Sequence, residues 1–125
     1  SIGNSTRLLE LKDERITPVT FQPKDAGLSM ATFREMAGFP VEQREREADL
    51  IKRLLANEIQ GGQRDWVLLN AAMLLYAAGK GTSITGNLGA ARSALESGQA
   101  KAKLAELVAV AGSSAGNAPK VGISA

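Results

Sequence analysis

The sequence predicts an α+β fold, an N-terminal β-hairpin followed by about four to five helices, and three features of the chain carry that expectation. Thr6 to Leu11 and Arg15 to Phe21 are short runs rich in Leu, Ile, Val and Thr on either side of the charged Lys12-Asp13-Glu14, the pattern of two strands and a turn. After Gly27 the apolar residues follow helical spacing. Between Asp65 and Gly79 (DWVLLNAAMLLYAAG) the only conventionally polar side chains are Asn70 and the Tyr76 hydroxyl, with no central Gly or Pro. A helix that is apolar all round needs neighbours on more than one side, so this segment is expected to be buried on both faces and to organise the core. At about 1.5 Å per residue it would span about 20 Å, too short for a bilayer that needs about 20 apolar residues.

Composition sets the limits. At 125 residues, 44% hydrophobic and with a mean hydropathy of −0.08, the chain has the size and balance of one globular domain rather than a membrane protein. Its 15 basic and 13 acidic side chains are interleaved, so the isoelectric point near 9.2 reflects a small surplus and not a basic face. The basic stripe with interleaved aromatics that a nucleic-acid surface needs is missing. There is no cysteine and no histidine, which removes disulfides, thiolate nucleophiles, imidazole bases and the usual zinc sites. Ser1 to Glu10 has no charged lead before a long apolar run, so no signal peptide is expected and a cytoplasmic location fits.

In chain order, the hairpin spans residues 6–21, and Pro18, which cannot donate to a ladder, calls for an edge or a bulge in its second strand. Gln22 to Gly27 is turn chemistry, with Pro23 fixing φ and Gly27 free to take a positive φ. Thr32 and Glu35 stand at capping-box spacing, and Gly38 and Pro40 limit the helix they open to about 32–36. From 41 to 58, Ala48, Ile51, Leu54 and Leu55 make an apolar stripe opposite the charged run 42–47, as in a surface helix. Gly61-Gly62 ends it, and the central helix follows over 65–78 with Asp65 on the positive end of its dipole. Ser83 or Thr85 can cap a helix over 85–97, with Leu88, Ala91 and Leu95 on its apolar side. Ser97-Gly98 breaks it before a last helix over 99–110, where Leu104, Leu107, Val108 and Ala111 share a side. The small-residue stretch 112–125 has too little to bury and is expected to be a flexible tail.

Candidate chemical motifs are sparse. Gly79-Lys80-Gly81-Thr82 has Gly81 where a P-loop needs Ser or Thr and lacks the earlier glycine, so it reads as a helix C-cap; Gly86 and Gly89 lack both a middle glycine and a preceding strand. Asp13-Glu14 reads as a solvated turn. Asn70 is expected to bond neighbouring backbone, and Trp66 and Tyr76 to belong to the core.

Two strings point further. Arg64-Asp65-Trp66-Val67-Leu68-Leu69-Asn70-Ala71-Ala72 and Leu75-Tyr76-Ala77-Ala78-Gly79-Lys80 resemble the RDxVLLNAA...LYxAGK signature of the anthranilate phosphoribosyltransferases. Upstream, Thr6 to Asp13 resembles that family's strand and turn, and Pro23-Lys24-Asp25-Ala26-Gly27-Leu28 its Pro-Glu-Asp-Phe-Gly-Leu linker; downstream, Ala91 to Ala100 and Lys103-Leu104 resemble its closing helices. The chain departs from the pattern at Gly38-Phe39-Pro40, where a double glycine is usual, and at Arg46-Glu47-Ala48, where Glu-Asn-Ala is common.

The resemblance implies that residues 1–111 are a C-terminal portion of the family's larger α/β domain, with the hairpin belonging to its sheet. It implies a magnesium-dependent parent enzyme, a homodimer that moves the phosphoribosyl group of phosphoribosyl pyrophosphate onto anthranilate in tryptophan biosynthesis. The family's glycine-rich phosphate loop, anthranilate contacts and magnesium-binding Asp-Glu pair all lie before the matched part, so Asp13-Glu14 is not that pair. No catalytic, cofactor-binding or metal-binding residue is therefore expected within this chain, which by itself would bind no cofactor and be inactive. The alternatives are a non-catalytic paralogue of the same fold that binds nucleic acid or another partner, and a free-standing helical interaction domain.

Overall fold

The computed structural model describes residues 1–36 and 44–115. Strands β1 (Thr6–Lys12) and β2 (Arg15–Phe21) form a two-stranded antiparallel sheet whose register runs without interruption from Lys12↔Arg15 to Thr6↔Phe21. Asp13 and Glu14, both at positive φ (49° and 59°), make the two-residue turn, the backbone hand that matches the right-handed twist of the strands. Counting from the hydrogen-bonded closing pair Lys12↔Arg15, alternate pairs are bonded, which puts Leu9↔Pro18 at a non-bonded position. Pro18 thus faces the outer edge of β2 and costs the ladder nothing. The expected edge is found, with no bulge.

A 3-10 turn, Pro23–Ala26, follows and closes on Gly27 at φ 69°. Helix α1 (Phe33–Met36) is a single turn opened by the capping box: the Thr32 amide and hydroxyl donate to Glu35 Oε2 at 2.7 and 2.8 Å, and the Glu35 amide donates back to Thr32 Oγ1 at 3.3 Å. Helix α2 (Arg44–Leu55) comes next, then α3 (Gly62–Ala77), α4 (Ile84–Glu96) and α5 (Gln99–Ala115). The Gly38-Phe39-Pro40 departure and the expected helical start at 41–43 lie outside the described residues.

Helix ends follow one device. Asn57, Gly79 and Gly98 all take positive φ just past α2, α3 and α4. After α2 and α3, amides of the two residues past the cap reach back to the last carbonyls: Asn57 to Leu54 and Glu58 to Arg53, then Gly79 to Tyr76 and Lys80 to Leu75. So α2 ends at Leu55 and is closed off by Asn57 rather than by Gly61-Gly62, and Gly79 takes the capping place expected of it. At the start of α4 the Ser83 hydroxyl accepts from the Gly86 amide at 3.0 Å, which chooses Ser83 over Thr85 as the cap.

The core joins Leu68, Leu69 and Ala72 of α3 to Leu88, Ala91 and Leu95 of α4, with Ile2, Phe21, Ala26, Leu28, Ala31 and Leu54 around them. Ile2 is fully buried and its carbonyl accepts from the Ala31 amide at 3.1 Å, a strut across the start of the chain that no pattern in the sequence marks. Gly62 lets the start of α3 approach the segment leading into α1, since a Cβ there would lie 2.8 Å from that of Ala31 and 3.4 Å from that of Glu35.

Several expectations need correcting. Helix α3 is buried on one face only: Trp66, Val67 and Leu74 are exposed, Leu74 at 71%. The face bearing Leu68, Leu69 and Ala72 packs against Leu88, Ala91 and Leu95 of α4. On α5, Leu107 and Val108 lie open and Leu104 is half-buried, and on α2 Leu54 is buried while Ile51 is exposed. Helix α5 also runs through Ala115, into the stretch from Gly112 expected as tail. The physical reason is common to the first three: apolar patterning reports that a face needs cover, and among the described residues there are too few elements to supply it.

Candidate functional site

The polar groups with fixed geometry gather where the hairpin meets the end of α3. Strand alternation turns Thr6, Leu8, Glu10 and Lys12 toward the helices and Arg7, Leu9 and Leu11 away from them. Tyr76, in the last turn of α3, donates its hydroxyl to Glu10 Oε1. That bond to a carboxylate, with lesser help from burial and the carboxylate's charge, raises the tyrosine above its ordinary pKa, so it remains a neutral donor. Just beyond, the buried Asn87 of α4 donates to the Lys80 carbonyl at 2.6 Å and fixes the loop between α3 and α4. Gly81, at φ 74°, packs so closely on Asn87 that a Cβ there would sit 2.0 Å from Oδ1. Thr85 donates to the Asp25 carbonyl at 3.1 Å and ties the same corner to the 3-10 turn.

Beside these groups an open groove of about 610 Å³ runs along β1. One wall is the five consecutive residues Leu8 to Lys12, and the other is Met73, Tyr76 and Ala77 of α3 with Gly79, Gly81 and Ile84. A smaller hollow of about 330 Å³ lies between the end of β2, Asp25 and residues 82–85. Among the described residues no nucleophile stands beside a base near the Tyr76–Glu10 hydrogen bond, and the groove has a mixed lining of Leu8, Met73, Ile84 and strand backbone with the polar Glu10, Lys12 and Tyr76. Such a lining suits binding rather than chemistry.

The residues weighed from sequence are scattered. Asp13 and Glu14 sit exposed at the hairpin tip. Asn70 is exposed rather than buried, and its Nδ2 donates to the Trp66 carbonyl one turn back at 2.8 Å, the local bond expected of it. Trp66 is 46% exposed and outside the core, whereas Tyr76 is half-buried. Gly86 lies in the first turn of α4 and Gly89 on its exposed side. Sequence reasoning missed the pair Arg64–Glu96. Nη2 of Arg64, whose side chain is only 10% exposed, donates to Glu96 Oε1 at 2.7 Å and joins the start of α3 to the end of α4. Its Nε is buried without a hydrogen-bond partner. The signal available was an Arg and a Glu at opposite ends of two apolar helices joined by a short loop, which stand side by side once the helices pack antiparallel.

Among the described residues no group of three or more Asp, Glu, His or Cys could hold a metal ion, and no helix is long and apolar enough to cross a membrane. Magnesium, which the resemblance implies for the parent, does not fit the carboxylates present: Asp13 and Glu14 are neighbours on a solvated turn with no third ligand to close a shell.

A hairpin leading into α-helices, with apolar sheet and helix faces left open, is the build of one part of a larger α/β domain. The chain belongs to the glycosyl transferase family, whose a/b domain model matches residues 1–101. It is similar to the anthranilate phosphoribosyltransferase of Leptothrix cholodnii, 44% identical over 110 residues that make up 88% of this chain and 31% of that protein. The enzyme of the same name from Haloferax volcanii is 34% identical over 103 residues, 82% of this chain and 30% of the relative. Among solved structures, anthranilate phosphoribosyltransferase from Thermus thermophilus superposes with a TM-score of 0.76 at 32% identity, covering 86% of this chain and 31% of that one. The chain thus spans about a third of the length of the relatives it matches, and the resemblance stated from the signature strings is borne out.

Proposed function

We propose that residues 1–111 are a C-terminal structural part of an anthranilate phosphoribosyltransferase, and that the parent transfers the phosphoribosyl group of phosphoribosyl pyrophosphate to anthranilate in tryptophan biosynthesis. The observation that carries this is the similarity to enzymes of that name along nearly the whole chain, at 44% identity in one case. In this reading the chain braces the catalytic domain and supplies no group that touches substrate. The phosphate loop, the anthranilate contacts and the magnesium ligands belong to the two thirds of the relatives that this chain does not span, and the assembled enzyme is a cytoplasmic homodimer. The lining of the β1 groove and the scatter of Asp13, Glu14 and Asn70 support a bracing role.

The test joins this chain to the preceding two thirds of the Leptothrix relative in place of that protein's own end. Loss of anthranilate fluorescence with phosphoribosyl pyrophosphate and magnesium is expected for the fusion and not for the chain alone. A folded fusion without transfer would overturn the assignment to an active parent. Calorimetry showing micromolar binding of magnesium with phosphoribosyl pyrophosphate to the chain alone would overturn its purely structural role.

A further inference from the structure

The hollow of about 330 Å³ is bounded on three sides by elements of this chain, whereas the larger groove opens along the unpaired edge of β1. Its floor is the inward face of the hairpin, where the register sets Leu8 against Val19 with Phe21 one inward position on. Thr20, whose side chain alternation turns outward, completes that rim. The facing wall is Thr82, Ser83 and the first two residues of α4, Ile84 and Thr85. Asp25, on the 3-10 turn just past Phe21, closes one end, and the Tyr76–Glu10 pair closes the other. The volume is at the small end of the range of ligand pockets, about 300 to 1,000 Å³.

The hollow carries both signs of charge. Among the described residues the amides of Ile84 and Thr85 donate to no acceptor, and only the next, Gly86, is taken by the Ser83 hydroxyl. At the start of a 13-residue helix those free amides present partial positive charge. Asp25 spends Oδ2 on the Gln22 amide at 2.7 Å and Glu10 spends Oε1 on the Tyr76 hydroxyl, so each carboxylate keeps a second oxygen, and neither has an ion-pair partner among the described residues. The Thr85 hydroxyl donates to the Asp25 carbonyl at 3.1 Å, which makes the two poles adjoin. A simple anion would meet both carboxylates, and a simple cation would meet the positive end of α4. A molecule with an ammonium and a carboxylate on one carbon satisfies both poles. We propose that this hollow binds a free α-amino acid with an apolar side chain. Its carboxylate accepts from the Ile84 and Thr85 amides, with the Thr82 and Ser83 hydroxyls on the same side, and its ammonium donates to Asp25 Oδ1. The side chain lies on Leu8, Val19 and Phe21 against Ile84, and Glu10 at the far end repels a negatively charged one. Every wall belongs to this chain, so the proposal stands apart from the parent reading.

Leucine, isoamylamine and isocaproate share one apolar body and carry both charges, the cation alone and the anion alone. Titrated into the 125-residue chain and followed by amide NMR shifts, leucine should give saturable shifts at Val19, Ile84 and Thr85 in the millimolar range. Each analogue should bind at least about tenfold more weakly, having lost one charge-assisted contact. Asp25→Asn keeps an acceptor for the Gln22 amide and removes the charge, so it should weaken leucine about tenfold and leave isocaproate no weaker. Glu10→Gln, an independent variant that keeps an acceptor for Tyr76, should lower the preference for leucine over glutamate several-fold. Equal binding of the three compounds would make this a plain apolar hollow, and tighter binding of either analogue would make it a site for one charge. Shifts confined to Met73 and Gly79 would place the ligand in the β1 groove, and the absence of any shift would leave no site. Each of these four results overturns the proposal.

Discussion

The two faces of α3 have nearly the same composition and opposite surroundings. On one, Leu68, Leu69 and Ala72 are almost wholly inaccessible; on the other, Trp66, Val67 and Leu74 meet solvent. The hairpin repeats the contrast, with Leu8 and Phe21 turned inward and Leu9, Leu11 and Ile16 outward. Ordinary surface residues scatter as single apolar side chains, whereas Leu9, Leu11 and Ile16 share one face of the hairpin, and Trp66, Val67 and Leu74 lie along the exposed side of α3 around the polar Asn70. The pattern of a sequence encodes which faces require cover. It does not encode whether the cover lies in the same stretch of chain.

The sharpest way to break this comparison is truncation on each face. Leu69→Ala, at a site 1% exposed, is expected to cost about 2 to 5 kcal/mol, the range for emptying a buried leucine, and Leu68→Ala a similar amount. Leu74→Ala, at 71% exposure, should stay within about half a kcal/mol in the chain alone. Urea melts with a check of oligomeric state measure all three, and equal losses on the two faces would mean that the exposed face is covered in solution by self-association.

How much of this could be seen beforehand divides along the same line. The hairpin, the Thr32–Glu35 capping box, the Gly79 cap and the existence of each helix were legible because they depend on local spacing and turn chemistry. Burial of Leu74, Trp66 and Leu107 was misjudged because it depends on neighbours, and an all-round apolar helix says only that it has them. Arg64–Glu96 and Tyr76–Glu10 were missed for a third reason: they join residues 32 and 66 positions apart through packing that no window reveals, while Asn87 and Lys80, though close in sequence, meet only because the loop folds back on α4. The family signature fared better than periodicity since it compares whole strings, and it identified the family while leaving the exposed faces unforeseen.

Two glycines give the next test. Gly79 and Gly81 both take positive φ, but a Cβ at Gly79 would meet open space while one at Gly81 would strike Asn87. Gly79→Ala should cost about 1 to 2 kcal/mol for the left-handed backbone alone. Gly81→Ala should cost a further about 1 to 3 kcal/mol as the Asn87–Lys80 bond is displaced. If the two variants melt alike, Asn87 is not holding this loop.

Across the buried face, Glu96→Ala leaves the Arg64 guanidinium without its carboxylate. Because Glu96 is itself 49% exposed, water can partly replace it, and the expected loss is about 1 to 2 kcal/mol rather than the larger figure for a fully buried pair. Raising salt should narrow the difference between variant and wild type only slightly, since the arginine is screened by protein. A loss indistinguishable from zero would make the pair an incidental contact.

The smallest effect is the most specific to the hairpin's inner side. Tyr76 is the chain's single tyrosine, so tyrosinate absorbance reports on its contact with Glu10 and nothing else. In the folded chain its titration should lie above the ordinary value of 10.0, because ionisation would break a hydrogen bond to a carboxylate and set two anions side by side. The sign for stability follows: the unfolded chain releases its proton first, so the contribution is complete below pH 10.0 and declines as pH rises through the raised value. Glu10→Gln should bring the midpoint back toward 10.0 without exposing Leu69, whereas removing an outward residue, as in Leu9→Ala, should leave it where it is. A midpoint that ignores Glu10 and responds to Leu9 would reverse the inward and outward assignment of β1, and with it the placement of the groove along its free edge.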